Sequence, residues 1–176
     1  MPQNILEIVA GLPPRVQTII DDATKLAREE LNVEVLDSSM VLLVIIRLGD
    51  TYSSAKWLHS IGLDEARILH AIQSTFGARD ELKQVKDAWN VRRPVPAIIT
   101  FALPTIQMIN RLHERAHDPH ANGQVYVANV LEAIAHTDSR AVKQIFGSVG
   151  LDMADVRQKL NIPTIQDLEK LYARRN

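Results

Sequence analysis

The chain has 176 residues, 46% of them hydrophobic, with 20 lysines and arginines against 21 aspartates and glutamates. That length sustains one good core or two small fused ones. A net charge of −1 with no long run of one sign argues against a dedicated binder of nucleic acid or anionic membrane, and the absence of cysteine excludes disulfides and thiolate chemistry.

The N-terminal stretch MPQNILEIVAG lacks the basic start and long apolar run of a secretory signal. After LPPR, whose prolines suit a helix's first turn, Val16, Ile19, Ile20, Ala23, Leu26 and Ala27 recur at helical spacing and predict one buried stripe. Asp37, Ser38 or Ser39 is placed to cap the next helix by accepting an unpaired backbone N–H. That helix carries MVLLVII, residues 40–46, apolar all round as expected of a central helix packed on several sides. It is the longest apolar run, far short of the roughly 20 residues that span a bilayer, so a soluble cytoplasmic protein is expected. Asp50 or Thr51 precedes YSSAKWLHSI, which should stop at Gly62, and Asp64 opens EARILHAI. Trp57 is expected in the core. No alternating strand stands out, and the fold class is all-α.

The pattern then recurs. LPPRVQTII from Leu12 is echoed by LPTIQMIN from Leu103, and SAKWLHSIGLDEARI from Ser54 by VKQIFGSVGLDMADV from Val142. Val41 and Leu42 match Val130 and Leu131. Three matched blocks in one order point to an internal duplication, with length changes confined to loops. Residues 73–99 belong to neither copy. Within them Leu82, Val85 and Trp89 share a helical face, Arg92 and Arg93 join Lys83 and Lys86 in a modest basic patch, and RRPVP should be extended. The tail, 161–176, spaces Ile165, Leu168 and Leu171 or Tyr172 as an amphipathic helix, read as docking on the core, with a partner-binding helix as the alternative.

These residues resemble the double repeat of the Clp N-terminal domain family, found at the front of ClpA-, ClpB- and ClpC-type unfoldases. The resemblance rests on RVQTIIDDATKLAREE, MVLLVIIRLGDTYSSAKWLHSIGLD and VLEAIAHTDSRAVKQIFGSVGLD. It implies a single domain over 1–176, built of two four-helix Clp-type repeats with pseudo-two-fold symmetry. Repeat 1 would take about 12–72, the linker helix 73–99, repeat 2 about 100–160 and the C-terminal helix 161–176. The glutamates with which ClpC-type domains hold phosphoarginine are replaced by Ser39 and Ala128, neither of which pairs with a guanidinium as a carboxylate does. No glycine is followed by lysine, so there is no P-loop and no ATPase. The resemblance therefore implies protein binding by an adaptor, accessory or regulator of a Clp-type protease or unfoldase. Its partner would be a Clp ATPase or peptidase subunit, an adaptor or a substrate. The expected surface is the groove between copies, at Ser39 and Ala128, flanked by Trp89, Arg92 and Arg93. No cofactor is expected, and the oligomeric state is left open.

One stretch raises an alternative. Residues 113–117, HERAH, match the H-E-x-x-H spacing of zinc proteases: His113 and His117 as ligands, Glu114 as general base, and His120 or Glu132 as third ligand. Against it, Arg115 puts a cation inside the motif, Asp118-Pro119 ends the helix, and His120 stands where an extended motif needs glycine. The histidines fall one step round from a stripe of Ile106, Ile109, Leu112 and Ala116, at the solvent boundary. The preferred reading is surface histidines and no enzyme. No G-x-S-x-G is present, and the adjacent pairs Asp21-Asp22 and Glu29-Glu30 diverge on a helix rather than converge. A second alternative is a Clp-like fold reused as a peptide-binding module in an unrelated pathway.

Overall fold

In a computed structural model, which describes residues 4–76 and 99–160, the chain is mostly helical. The expected linker helix with Trp89, Arg92 and Arg93, and the C-terminal helix 161–176, lie outside the described residues.

Asn4 caps a short helix, α1 (Ile5–Ala10), accepting the Leu6 N–H at 3.2 Å. Pro14 opens α2 (Pro14–Lys25), where its missing N–H costs nothing. The helix runs on into a π-helical turn, Leu26–Glu30. The six residues of the predicted first stripe, Val16 to Ala27, are all buried. Asp37 is the cap of α3 (Ser38–Arg47), accepting the Ser39 N–H at 2.9 Å. Every residue of α3 from Ser38 to Ile46 is buried. The reason is its position, packed against α2, α4 (Ser53–Ser60) and α5 (Glu65–Phe76) and also against three helices of the second half. Each buried leucine or isoleucine there contributes roughly 1.5–3 kcal/mol.

The second half comprises α6 (Leu103–Ala116), a 3-10 turn (Pro119–Ala121), α7 (Val127–Ala135), α8 (Arg140–Gly147) and α9 (Met153–Leu160). α3 meets α6, α7 and α8, while α5 packs on α8 and α1 on α6. α7 packs on α6, α9, α3 and α4. One continuous core results, running from Leu12 to Leu160.

Several details differ from the sequence expectation. A two-residue parallel pair joins β1 (Val35–Leu36) to β2 (Thr100–Phe101), with Val35 opposite Thr100 and Leu36 opposite Phe101. Two residues are too few to display alternation, so the sequence carries no trace of it. α4 begins only at Ser53, with Tyr52 in the cap position making no side-chain capping bond. The buried stripe of α6 is Thr105, Met108, Ile109 and Leu112, with Ile106 and Ala116 only half-buried. Thr105 takes the inner position because its hydroxyl donates to the Leu36 carbonyl at 2.5 Å, tying α6 to β1. Trp57 is half-buried, its ring 6.4 Å from that of Phe146.

The two GLD turns are built alike. Gly62 and Gly150 adopt φ of +90° and +78°. Leu63 N–H donates to Leu58 O and Leu151 N–H to Phe146 O, both at 3.1 Å. Asp64 then accepts the Arg67 N–H and Asp152 the Asp155 N–H, both at 2.8 Å. The glycines are required by conformation rather than space, since a Cβ on Gly62 would meet only Val149 Cγ1, at 3.7 Å. Gly62→Ala is therefore expected to cost about 1–2 kcal/mol. Gly147→Ala, at the end of α8 with open space around it, should be neutral or slightly stabilising, and urea denaturation midpoints compare the two.

Candidate functional site

The expected groove at Ser39 and Ala128 is closed. Both residues lie in first helical turns, of α3 and α7, and are 0% and 8% exposed. At that burial neither side chain offers a surface to a partner in this conformation. What fills the seam instead is polar. Asp37 Oδ2 accepts from both Ser39 N–H and the Ser139 hydroxyl, the latter at 2.7 Å. Ser139 Oγ in turn accepts the Val142 N–H at the start of α8. Beside it Thr137 donates to Ile134 O, so Ser38 donates to Thr137 Oγ1 at 3.0 Å. Asp37 was legible as a cap; its bond to a residue 102 positions away was not.

Two clefts are lined by polar and charged side chains. One, of about 390 Å³, runs between α2 with its π turn and α3, and is lined by Asp22, Lys25, Glu29, Glu30 and Arg47, among others. The other, of about 350 Å³, runs between α6 and α7 and is lined by Arg111, Glu114, Arg115, Asp118, Glu132 and His136, among others. Asp22, Lys25, Glu29 and Arg47 stand 89 residues before Arg111, Glu114, Asp118 and His136. The same offset relates the buried Val16, Ile19, Ile20 and Ala23 of α2 to Thr105, Met108, Ile109 and Leu112 of α6. This corrects the offset of 91 implied by aligning Leu12 with Leu103, because packing follows the buried face rather than the proline preceding it.

The clefts differ in charge. In the first, the Arg47 guanidinium pairs with Glu30 through two bonds of 2.9 Å and reaches Glu65 at 2.7 Å. These contacts, the Glu30 hydrogen bond foremost, raise its pKa above the ordinary arginine value. The carboxylates are half exposed, so screening leaves the pair little net stability. In the second cleft Arg111 and Glu114 invert the signs of Asp22 and Lys25, and Arg115 Nε is buried without an acceptor. Glu114 and Arg115 lie three and four residues after Arg111, a spacing visible in the sequence, though their opposition to Glu132 and His136 was not.

The HERAH stretch falls at the end of α6, with His117 as C-cap. The His117 ring donates Nδ1–H to the His113 carbonyl at 2.8 Å, and the two imidazole centroids are 4.2 Å apart. His113 is half-buried, its Nδ1 enclosed without a partner, and His117 is exposed, at the solvent boundary as expected. Glu114, one residue on and so turned about 100° round the helix, lines the α6–α7 cleft with Glu132, whereas neither histidine lines it. Among the described residues no group of three or more His, Cys, Asp or Glu side chains is placed to hold a metal, so neither His120 nor Glu132 completes a site. Nor, among those residues, is any helix long and apolar enough to cross a membrane. Comparison of the chain with models of known protein families gives no match, and comparison with curated proteins gives none either.

Proposed function

We propose that the chain is a non-enzymatic protein- or peptide-binding domain of the Clp N-terminal type, made of two tandem four-helix repeats, and that it serves a Clp-type protease or unfoldase as adaptor, accessory or regulator. The observation that carries this reading is the pairing of local structure between halves. The turns at Gly62 and Gly150 share their left-handed φ and their capping aspartates, and the two clefts are lined from equivalent positions. Repetition of caps, turns and buried faces in one order supports duplication of a single unit, and that is the pattern of the resemblance. The non-enzymatic part rests on the sequence: it has no P-loop, no cysteine and no G-x-S-x-G, and Arg115 puts a cation inside the H-E-x-x-H match.

Since Ser39 and Ala128 are buried, the contact residues this reading retains are Trp89, Arg92 and Arg93 of the linker. Phosphoarginine recognition is not part of it, because the seam offers a serine and an alanine where the family has carboxylates. Affinity capture of the tagged full chain from native lysate, read by mass spectrometry, tests it. Enrichment of a Clp ATPase or peptidase subunit, lost on Trp89→Ala with Arg92→Ala and Arg93→Ala, is the expected result. Consistent capture of a partner from another pathway, with no Clp subunit, overturns the Clp assignment in favour of a reused fold.

A further inference from the structure

The geometry points to an open two-histidine site for a late first-row divalent cation (zinc, nickel or copper), formed by His113 and His117 at the end of α6 and independent of Glu114. This goes beyond the protein-binding reading and does not depend on it. Four observations converge. The residues are four apart on one helix, so their side chains project over the same face. Their ring centroids are 4.2 Å apart. Two imidazoles bound to one ion at about 2.0–2.1 Å per Nε2 have centroids roughly 4.5–5.2 Å apart, so the rings need only open by up to about 1 Å, within reach of side-chain rotation. His117 already gives its Nδ1 proton to a backbone carbonyl, the outer contact that fixes the tautomer of metal-ligating histidines and leaves the Nε2 lone pair free. Neither Nε2 has a hydrogen-bond partner among the described residues, so no protein group competes with the ion.

Imidazole donors suit zinc, copper and nickel and discriminate against magnesium and calcium, which take oxygen ligands. Two protein ligands leave at least two positions to water or an incoming donor. The site is thus one for reversible capture, unlike the closed four-ligand sites that hold structural zinc. The ion links the C-cap residue to the preceding turn, so binding should also raise the melting temperature with ion concentration.

The test is isothermal titration of the full chain, free of any histidine tag, with nickel(II) and zinc(II), and with magnesium(II) as control. The expected result is one ion per chain, affinity falling roughly tenfold or more in His113→Ala and in His117→Ala because the chelate is lost. Glu114→Gln and His120→Ala should bind as the parent does. No nickel or zinc uptake up to about 1 mM overturns the proposal. So does uptake that survives the double histidine variant, or that is lost in Glu114→Gln. Ring 15N shifts of the unmutated protein give a check that no folding defect can confound: nickel or zinc must perturb Nε2 of both residues, and perturbation of other histidines alone overturns the site.

Discussion

Phe146→Ala is expected to lower the free energy of unfolding by about 3–5 kcal/mol, the largest loss at any single position considered. Phe146 is fully buried on α8, a helix that packs on α3, α5 and α9, so its truncation opens a void within the core. Trp57, whose ring lies 6.4 Å away, loses its aromatic neighbour as well. The neighbours are held by their own packing and collapse only partly, so the cost combines lost transfer energy with an unfilled cavity. Set against the 5–15 kcal/mol typical of whole domains, a loss of about that size leaves the protein marginal. Leu103→Ala makes the contrast: Leu103 is 66% exposed, and its truncation should stay within about 0.5 kcal/mol. Urea denaturation followed by far-UV circular dichroism measures both. The parent transition should be single, because α3 and α8 contact helices of both halves and neither half keeps its core alone. Two separated transitions would refute the continuous core.

Asp37→Ala is expected to cost about 2–4 kcal/mol. One carboxylate oxygen caps α3 through Ser39 N–H and receives the Ser139 hydroxyl, so its removal uncaps one helix and strands a buried donor near the start of another. Loss of an N-cap costs about 0.5–2 kcal/mol and an unsatisfied buried polar group about 1–3. Asp37→Asn keeps an acceptor in place and should lose less than half as much. The decisive measurement is a double-mutant cycle with Ser139→Ala. If the two residues act through one bond, the double variant is less unstable than the sum of the single losses by about 1 kcal/mol or more. Additive losses would mean that the carboxylate acts only as a local cap.

Both experiments address what the linear chain could not disclose. Helical periodicity identified α2, α3 and the turns at Gly62 and Gly150, because apolar spacing and glycine conformation are local properties that each segment carries with it. The apolar circumference of α3 even anticipated its central place. It also gave the four-residue spacing of His113 and His117. Where a feature depends on which helix lies opposite, the sequence misled or was silent. It put Ser39 and Ala128 in an open groove, whereas both are buried in the fold. Ile106 was assigned to the inner face of α6, and the bond from Thr105 to the Leu36 carbonyl turns that face by one residue. The sequence argued against the H-E-x-x-H match but was silent on the α6–α7 cleft, which Glu114 lines and neither His113 nor His117 does. Spacing along a helix fixes which residues share a face; only the packing of another helix decides whether that face is a core, a cleft or a surface open to a ligand.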